Sequence, residues 1–368
     1  MIIIETNVTG SSQGFSLAST PLDKILLLTT MAAVAVRRST RTAFLSSRSF
    51  STPTPPVKPS VKLIGELRKA TNAPINKASE ALAATDNDFE AAVRWLADDA
   101  LKSGAAKAAK LAGREANEGT LAVAVLSDGS NTAAGAAGSG VRAALIELGC
   151  ETDFVGRGEL FSSLAQNIAR TAAFFAPASQ SFASFAVNDL SQAPCLTQDA
   201  ATERASGSVS EAILEAISKL GENITLKRAL TFVVEPEAQT GFALGSYLHG
   251  ATPDFPDLGR MASLVAVRMA TAPSTAVAND QKFQSSYKLL RRALARQVVG
   301  MNAETLRAST PDAEATSLLS QPFVMFPHAA EGSTVEQAIE AWSKEWEVQL
   351  EVADFVRWTR GEELTQSQ

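Results

Sequence analysis

The side chains best equipped for chemistry are few. They are Cys150 and Cys195, His249 and His328, and the acids Glu151 and Asp153, which follow Cys150 in the stretch GCETDFVGRGELF at residues 149–161. A cysteine with a histidine as its base could act as a nucleophile, but a reactive thiolate needs an electropositive setting. Cys150 closes an apolar run and has acids directly downstream, so it reads as a buried structural cysteine. Glu151 and Asp153 alternate along the chain and would face the same way. Two carboxylates are too few oxygens for calcium and the wrong atoms for zinc. What remains is Asp153 beside Phe154, just ahead of Gly156 and Gly158. Glycines there would free the backbone to project both side chains, the ring filling a partner's pocket and the carboxylate competing for a cation or for donors. The opposing reading tucks Phe154 under the following helix, and the stretch alone leaves both open.

Little else in the chain offers catalysis. The pattern G-x-x-x-x-G-K-[ST] is missing, since the dipeptide GK never occurs, and so are C-x-x-C and H-E-x-x-H. Two cysteines far apart exclude a disulfide framework and suit a reducing compartment. A formal net charge of −6 speaks against a general nucleic-acid binder, and 368 residues at 45% hydrophobic content allow two domains plus appendages.

Other segments must position these residues. No acid occurs in residues 24–65, while Arg37, Arg38, Arg41 and Arg48 are spread among Ser, Thr and small apolar residues. Such a leader reads as an organellar transit peptide. Its best-formed part, MAAVAVRRSTRTAFLSSRSFS, begins at Met31, and Glu5 and Asp23 ahead of it are residues that such leaders avoid. Met31 is therefore expected to be the truer start. The apolar run at 25–36 is too short to span a bilayer, and as a secretory core it has its basic residues on the wrong side. A plain disordered tail is the bland alternative. STPTPPVKPS at 51–60 is a Pro-rich linker.

Residues 61–103 read as three short helices. The first shows Leu63, Ile64 and Leu67; the second has Pro74 at its first turn, then Ile75, Ala78 and Leu82. The third places Asn87 and Glu90 in capping-box spacing ahead of Val93 and Leu96. So small a helical unit should dock on something. KSGAAKAAKLAGREANEG (102–119) reads as a solvated helical connector with Lys107, Lys110 and Arg114 on one side. TLAVAVL and VRAALIELG are strand-like around the turn-prone SDGSNTAAGAAGSG. Leu160, Leu164 and Ile168 make Glu159–Phe175 a helix, and Ile213, Leu214 and Ile217 do the same for residues 210–220. The Ser-, Ala- and Gln-rich residues 176–208 read as a loop or insertion. TLKRALTFVV, FALGSYLHG and VQLEVADFVRW resume strand character, and Ser333 with Glu336 forms a capping box before VEQAIEAW. An internal echo aligns VRAALIELGCETDFVGRGELFSSLAQNIARTAA with GRMASLVAVRMATAPSTAVANDQKFQSSYKLLRRALARQ. Two related β-then-α halves make an α+β core.

LGCETDFV resembles the Thr-Asp-Phe-Val motif of the elongation factor Ts family, the guanine-nucleotide exchange factors of elongation factor Tu. LIGELRKATNAPINKASEAL is similar to the family's N-terminal helical module, KSGAAKAAKLAGREANEG to its connector, and LGENITLKRA to its Gly-Glu-Asn-Ile segment. GSYLHG, QPFVM and FVRWTRGEEL also match, in order, so the resemblance spans roughly residues 61–364. With the leader, the chain resembles a mitochondrial member.

The resemblance implies an α+β fold. Residues 1–60 would be leader and linker, 61–104 a three-helix ubiquitin-associated-like domain, and 105–119 a helical connector. Two related subdomains with antiparallel sheets would follow at 120–230 and 231–321, then a C-terminal module and tail at 322–368. It implies exchange activity in mitochondria without bond-making chemistry, cofactor or metal. The partner would be elongation factor Tu in a one-to-one complex, with no nucleic acid, membrane or homodimer. The partner-facing residues would be Thr152, Asp153, Phe154, Leu220, His249, Arg68 and Ile75. Phe154 would wedge between two helices of the GTPase domain, and Asp153 would disturb its magnesium site. The chain departs from the family pattern at Asn76, where an apolar contact is lost, and at Gly156-Arg157, which replaces Ala-Lys. Only about twenty residues separate the helix at 291–299 from QPFVM, too few for the helical hairpin by which bacterial members dimerise. The rival readings are a ubiquitin-binding module, resting on residues 61–103, and a Cys150–His249 hydrolase.

Overall fold

Three helices, the third longer than expected, open the part of the chain that the computed structural model describes, namely residues 58–71, 73–130, 140–197, 207–236, 241–271, 273–308 and 310–362. The leader and the start of the linker lie outside these residues. Helices α1 (Val61–Thr71), α2 (Ile75–Ala84) and α3 (Phe89–Leu111) close around Leu67, Ala78, Ala81, Leu82, Ala92 and Leu96. Pro74 sits one residue earlier than expected, as the N-cap of α2, where its φ of −58° feeds the helix directly. The expected cap of α3 is also displaced by one. Asp86 and Asn87 take left-handed φ values of 52° and 64°, which Asp and Asn tolerate best among residues with a Cβ. The cap therefore passes to Asp88, whose carboxylate accepts from Ala91 N at 2.9 Å.

Strand and helix then alternate: β1 (Glu118–Asp128), β2 (Val141–Cys150), α4 (Asp153–Gly156), α5 (Glu159–Phe175), β3 (Phe182–Ser184), α6 (Val187–Gln192), α7 (Val209–Leu220) and β4 (Thr225–Val234). Next come β5 (Phe242–His249), β6 (Leu258–Gly259), β7 (Met261–Thr271), α8 (Thr275–Ala278), α9 (Gln281–Gly300), α10 (Val335–Glu345) and β8 (Gln349–Thr359). Among the described residues, only short 3-10 turns, Pro311–Thr316 and Leu318–Ser320, stand between α9 and α10. The strands form two antiparallel sheets, ordered β3-β4-β2-β1-β6 and β5-β7-β8. The fold is mixed α+β.

The sheets pack face to face through Leu121, Leu145 and Phe232 on one side and Leu244, Leu264 and Trp358 on the other. Helices α5 and α7 cover the outside of the first sheet, and α9 and α10 the outside of the second. Strand β2 is thus buried on both faces, which is why its sequence is apolar at most positions, Arg142 and Glu147 excepted. The two sheets share one plan. A central strand (β2, β7) lies between an earlier strand (β1, β5) and a later one (β4, β8), and it leads into a one-turn helix and then a long one. Phe161 and Phe283, the aromatic residues aligned by the sequence echo, each stand third in the long helix and are fully buried. Strand β8, from the segment beyond residue 322, pairs with β7 throughout.

Two expectations are corrected. Residues 176–208 are not a plain loop: they hold β3 and α6, because the Phe182 ring packs at a tilt on Phe232, centroids 4.8 Å apart, and Leu190 is fully buried. The capping box before α10 is formed by Thr334 and Gln337, with bonds of 3.2 and 3.1 Å. Ser333 instead donates its hydroxyl to Ala330 O.

Helix α3 runs past residue 104 and docks on α7. A Cβ at Gly104 would lie 2.1 Å from the Leu214 carbonyl oxygen, so only glycine allows this approach. The Ser103 and Ser218 hydroxyls meet at 2.5 Å, and the Lys107 ammonium donates to the Ser218 carbonyl. Gly104→Val should push α3 off α7 at a cost of about 1–3 kcal/mol. Hydrogen exchange should then speed up along α3 and α7 and not in α9; unchanged protection along both helices would contradict this docking.

Candidate functional site

The tip following β2 is held by bonds from several directions. The Cys150 thiol donates to Thr152 O at 3.2 Å. Thr152 is extended, and its hydroxyl oxygen accepts from Val155 N at 3.3 Å, capping α4. On the far side, α7 stops at Gly221 in the left-handed conformation (φ 75°). That turn presents the Glu222 carboxylate to the tip, where it accepts from Thr152 N at 3.0 Å, Glu151 N at 3.2 Å and the Thr152 hydroxyl at 2.5 Å. In return the Glu151 carboxylate accepts from Asn223 N at 2.7 Å and pairs with Arg114 at 3.3 Å. Two turns some seventy residues apart are stitched in both directions.

The clamp leaves Phe154 projecting, 87% exposed, and no large apolar side chain among the described residues is more exposed. The tucked reading of Phe154 is therefore excluded. The expectation that Glu151 and Asp153 face the same way also fails, because α4 begins between them. Glu151 turns inward to Asn223, whereas Asp153 is half-exposed and pairs with Arg157 at 3.1 Å, an exposed bridge that constrains little. Nor do the glycines act as expected. Gly156 is helical and Gly158 has φ −69°, so neither uses the left-handed region. The one-turn helix and its clamp make Phe154 protrude.

Asp153 and His249 line one cleft of about 440 Å³, together with Arg157, Arg260 and Arg360. They meet because β6 pairs with β1 (Leu121 opposite Gly259), carrying the loop after β5 over the edge of the first sheet. Leu220 is the last residue of α7, half-buried against the outer core beside the clamp. Arg68 and Ile75 sit elsewhere, at the α1–α2 turn of the helical module. Arg68 Nε donates to Ala73 O at 3.4 Å and Ile75 is 56% exposed. Among the described residues no hydrogen bond or ion pair joins these two to the tip. Glu222 and Asn223 escaped sequence reasoning. Their segment carried a family signal, but nothing in local spacing ties them to Thr152 and Glu151.

Cys150 is fully buried, and burial, reinforced by the charges of Glu222 and Glu118, pushes its thiol up to about 12. Burial likewise raises Cys195. Neither supplies a thiolate near neutral pH. A disulfide reagent at pH 8 should modify both cysteines only after denaturant is added; fast reaction of the native chain would revive a nucleophilic role. Among the described residues no three His, Cys, Asp or Glu side chains gather to hold a metal ion.

Comparison with known sequences matches residues 151–317 to a family described as Elongation factor TS, a match that begins at the tip. "Elongation factor Ts, mitochondrial" of Coprinopsis cinerea is 42% identical over 323 residues, covering 84% of this chain and 94% of that protein. The protein of the same name from Laccaria bicolor is 40% identical over 340 residues, covering 88% and 98%. "Elongation factor Ts, mitochondrial 2" of Postia placenta is 34% identical over 345 residues, covering 89% and 99%.

Proposed function

The chain belongs to the mitochondrial elongation factor Ts family, exchange factors for elongation factor Tu, and from that premise we propose which of its surfaces act on the partner. As an exchange factor it makes and breaks no bond. It binds the nucleotide-free GTPase more tightly than the nucleotide-bound form, and by linkage it weakens nucleotide affinity by the same factor.

Phe154 enters apolar space between two helices of the GTPase domain, and Thr152 and Asp153 accompany it, the carboxylate disturbing the magnesium site. The observation that carries this is an aromatic ring 87% exposed on a turn that Glu222 clamps from outside. A rigid exposed ring gains area on binding and loses little freedom. His249 lies in the same cleft as Asp153 and acts beside it; Leu220 supports the clamped edge. Burying one Phe yields about 1.5–3 kcal/mol, or about one to two decades of affinity, so other surfaces must contribute. Arg68 and Ile75 serve as a second contact with the GTPase domain, on a ubiquitin-associated-like module spanning residues 61–104.

The core divides into two related halves, 120–230 and 231–321, with the segment 322–368 lending β8 to the second; the shared strand order supports that division. The leader directs the chain to mitochondria, where its relatives are named as working. The short 3-10 link between α9 and α10 favours a one-to-one complex without a homodimer. A photo-crosslinking residue at position 154 tests the wedge: the crosslinked peptide is expected in the GTPase domain. Crosslinks confined to another domain, or none, would overturn the assignment.

A further inference from the structure

A second cleft, of about 710 Å³, lies between the two sheets on the α5 and α9 side. Its floor is the end of β1, where register with β2 slips between Val125 and Ser127, leaving Val125 38% and Leu126 43% exposed. Arg170 of α5 and Lys288 and Arg292 of α9 line it. Among the described residues none of these three cations pairs with a carboxylate, although exposed cations elsewhere do, as at Arg268–Glu351 and Arg307–Glu336. Arg291 sits in the wall at 2% exposure. Its Nη1 donates to Leu244 O at 2.6 Å and to Asp128 Oδ2 at 3.2 Å, yet its Nε has no partner. Arg291 thus neutralises Asp128, and the one other carboxylate lining the cleft is Asp257. The balance is cationic, in a chain whose net charge is −6. Thr252 lines both this cleft and the one holding Asp153 and His249, so the two are neighbours.

We propose that this cleft receives an acidic segment of the same GTPase partner, its carboxylates on Arg170, Lys288 and Arg292 and an apolar side chain on Val125 and Leu126. The inference rests on the wedge reading above, since a partner seated at that site lies beside this cleft, across Thr252. A peptide fits better than a nucleic acid. The floor is aliphatic and Tyr247 is the one aromatic ring in the lining, where a single-strand binder would offer several stacking rings, and the acidic chain as a whole repels a polyanion. Complementary charge at such a rim acts chiefly on association and its salt dependence.

The test compares two variants by GDP release from the partner over a range of exchange-factor concentrations and salt. Lys288→Glu/Arg292→Glu should raise the half-saturating concentration at least tenfold at low salt, with that deficit shrinking as salt rises. Its maximal release rate should stay as in the parent chain. Lys288→Gln/Arg292→Gln should fall between the two. Both positions are exposed, and an unchanged melting temperature would certify the fold. An unaltered half-saturation and salt slope in the charge-reversed chain overturns the cleft and leaves the wedge standing. The wedge fails separately, if Phe154→Ala leaves the maximal rate intact. A short single-stranded RNA is the third arm: RNA retained by the parent chain and lost on charge reversal, with partner affinity unchanged, makes the cleft a nucleic-acid site and refutes the proposal.

Discussion

Phe154→Ala should slow maximal GDP release from the partner by about tenfold to a hundredfold, the equivalent of about 1.5–3 kcal/mol of lost ring burial. The folded chain should hardly notice. The ring is 87% exposed, and a substitution at so exposed a site changes stability by about 0.5 kcal/mol or less. Release kinetics and thermal melting, measured on one preparation, therefore separate function from folding. A variant that melts early and also exchanges slowly would mean the ring supports the fold, against its observed exposure.

Glu222→Ala should produce the second large effect, by a different route. One carboxylate accepts three donors from Glu151 and Thr152, and such charge-assisted bonds contribute about 1.5–3 kcal/mol each when isolated. Glu222 is half-buried, and water replaces part of what is lost, so the expected destabilisation is about 1–3 kcal/mol in total. Exchange should slow about tenfold because the one-turn helix loses its orientation. Glu222 has no described role except through the tip. In a Phe154→Ala background its removal should therefore still lower the melting temperature and no longer slow release, a non-additivity expected of groups that act together. Fully additive losses in release rate would give Glu222 a contact of its own with the partner.

Much of this arrangement was legible in the sequence, and the parts that were not share a physical cause. Helix α5 could be bounded because Leu164 and Ile168 repeat at helical spacing. Strand β2 could be recognised as a strand because VRAALIELG is mostly apolar and follows a turn-prone segment. The echo between the chain's halves reappears as matching strand order, with Phe161 and Phe283 at equivalent places. Local errors arose where one residue's backbone preference moved a boundary, as when Asn87 turned left-handed and passed its cap to Asp88. In residues 176–208, small polar residues masked Phe182 and Leu190, whose packing creates β3 and α6.

The site itself was half legible. Asp153 and Phe154 stood out by type. Whether the ring pointed outward depended on Glu222, and Glu151 proved to be a clamp residue because Asn223 N reaches it. His249 joins Asp153 only because two residues of β6 pair with β1. Contacts of that range leave no periodic mark along the chain.

The most direct measurement is the rate of labelled GDP release from mitochondrial elongation factor Tu as the chain without its leader is titrated in. The rate should rise and saturate well above spontaneous release, and the Phe154→Ala chain should saturate at a much lower plateau. A release rate that stays at the spontaneous value throughout the titration, or equal plateaus for the two chains, would contradict a wedge built on Phe154.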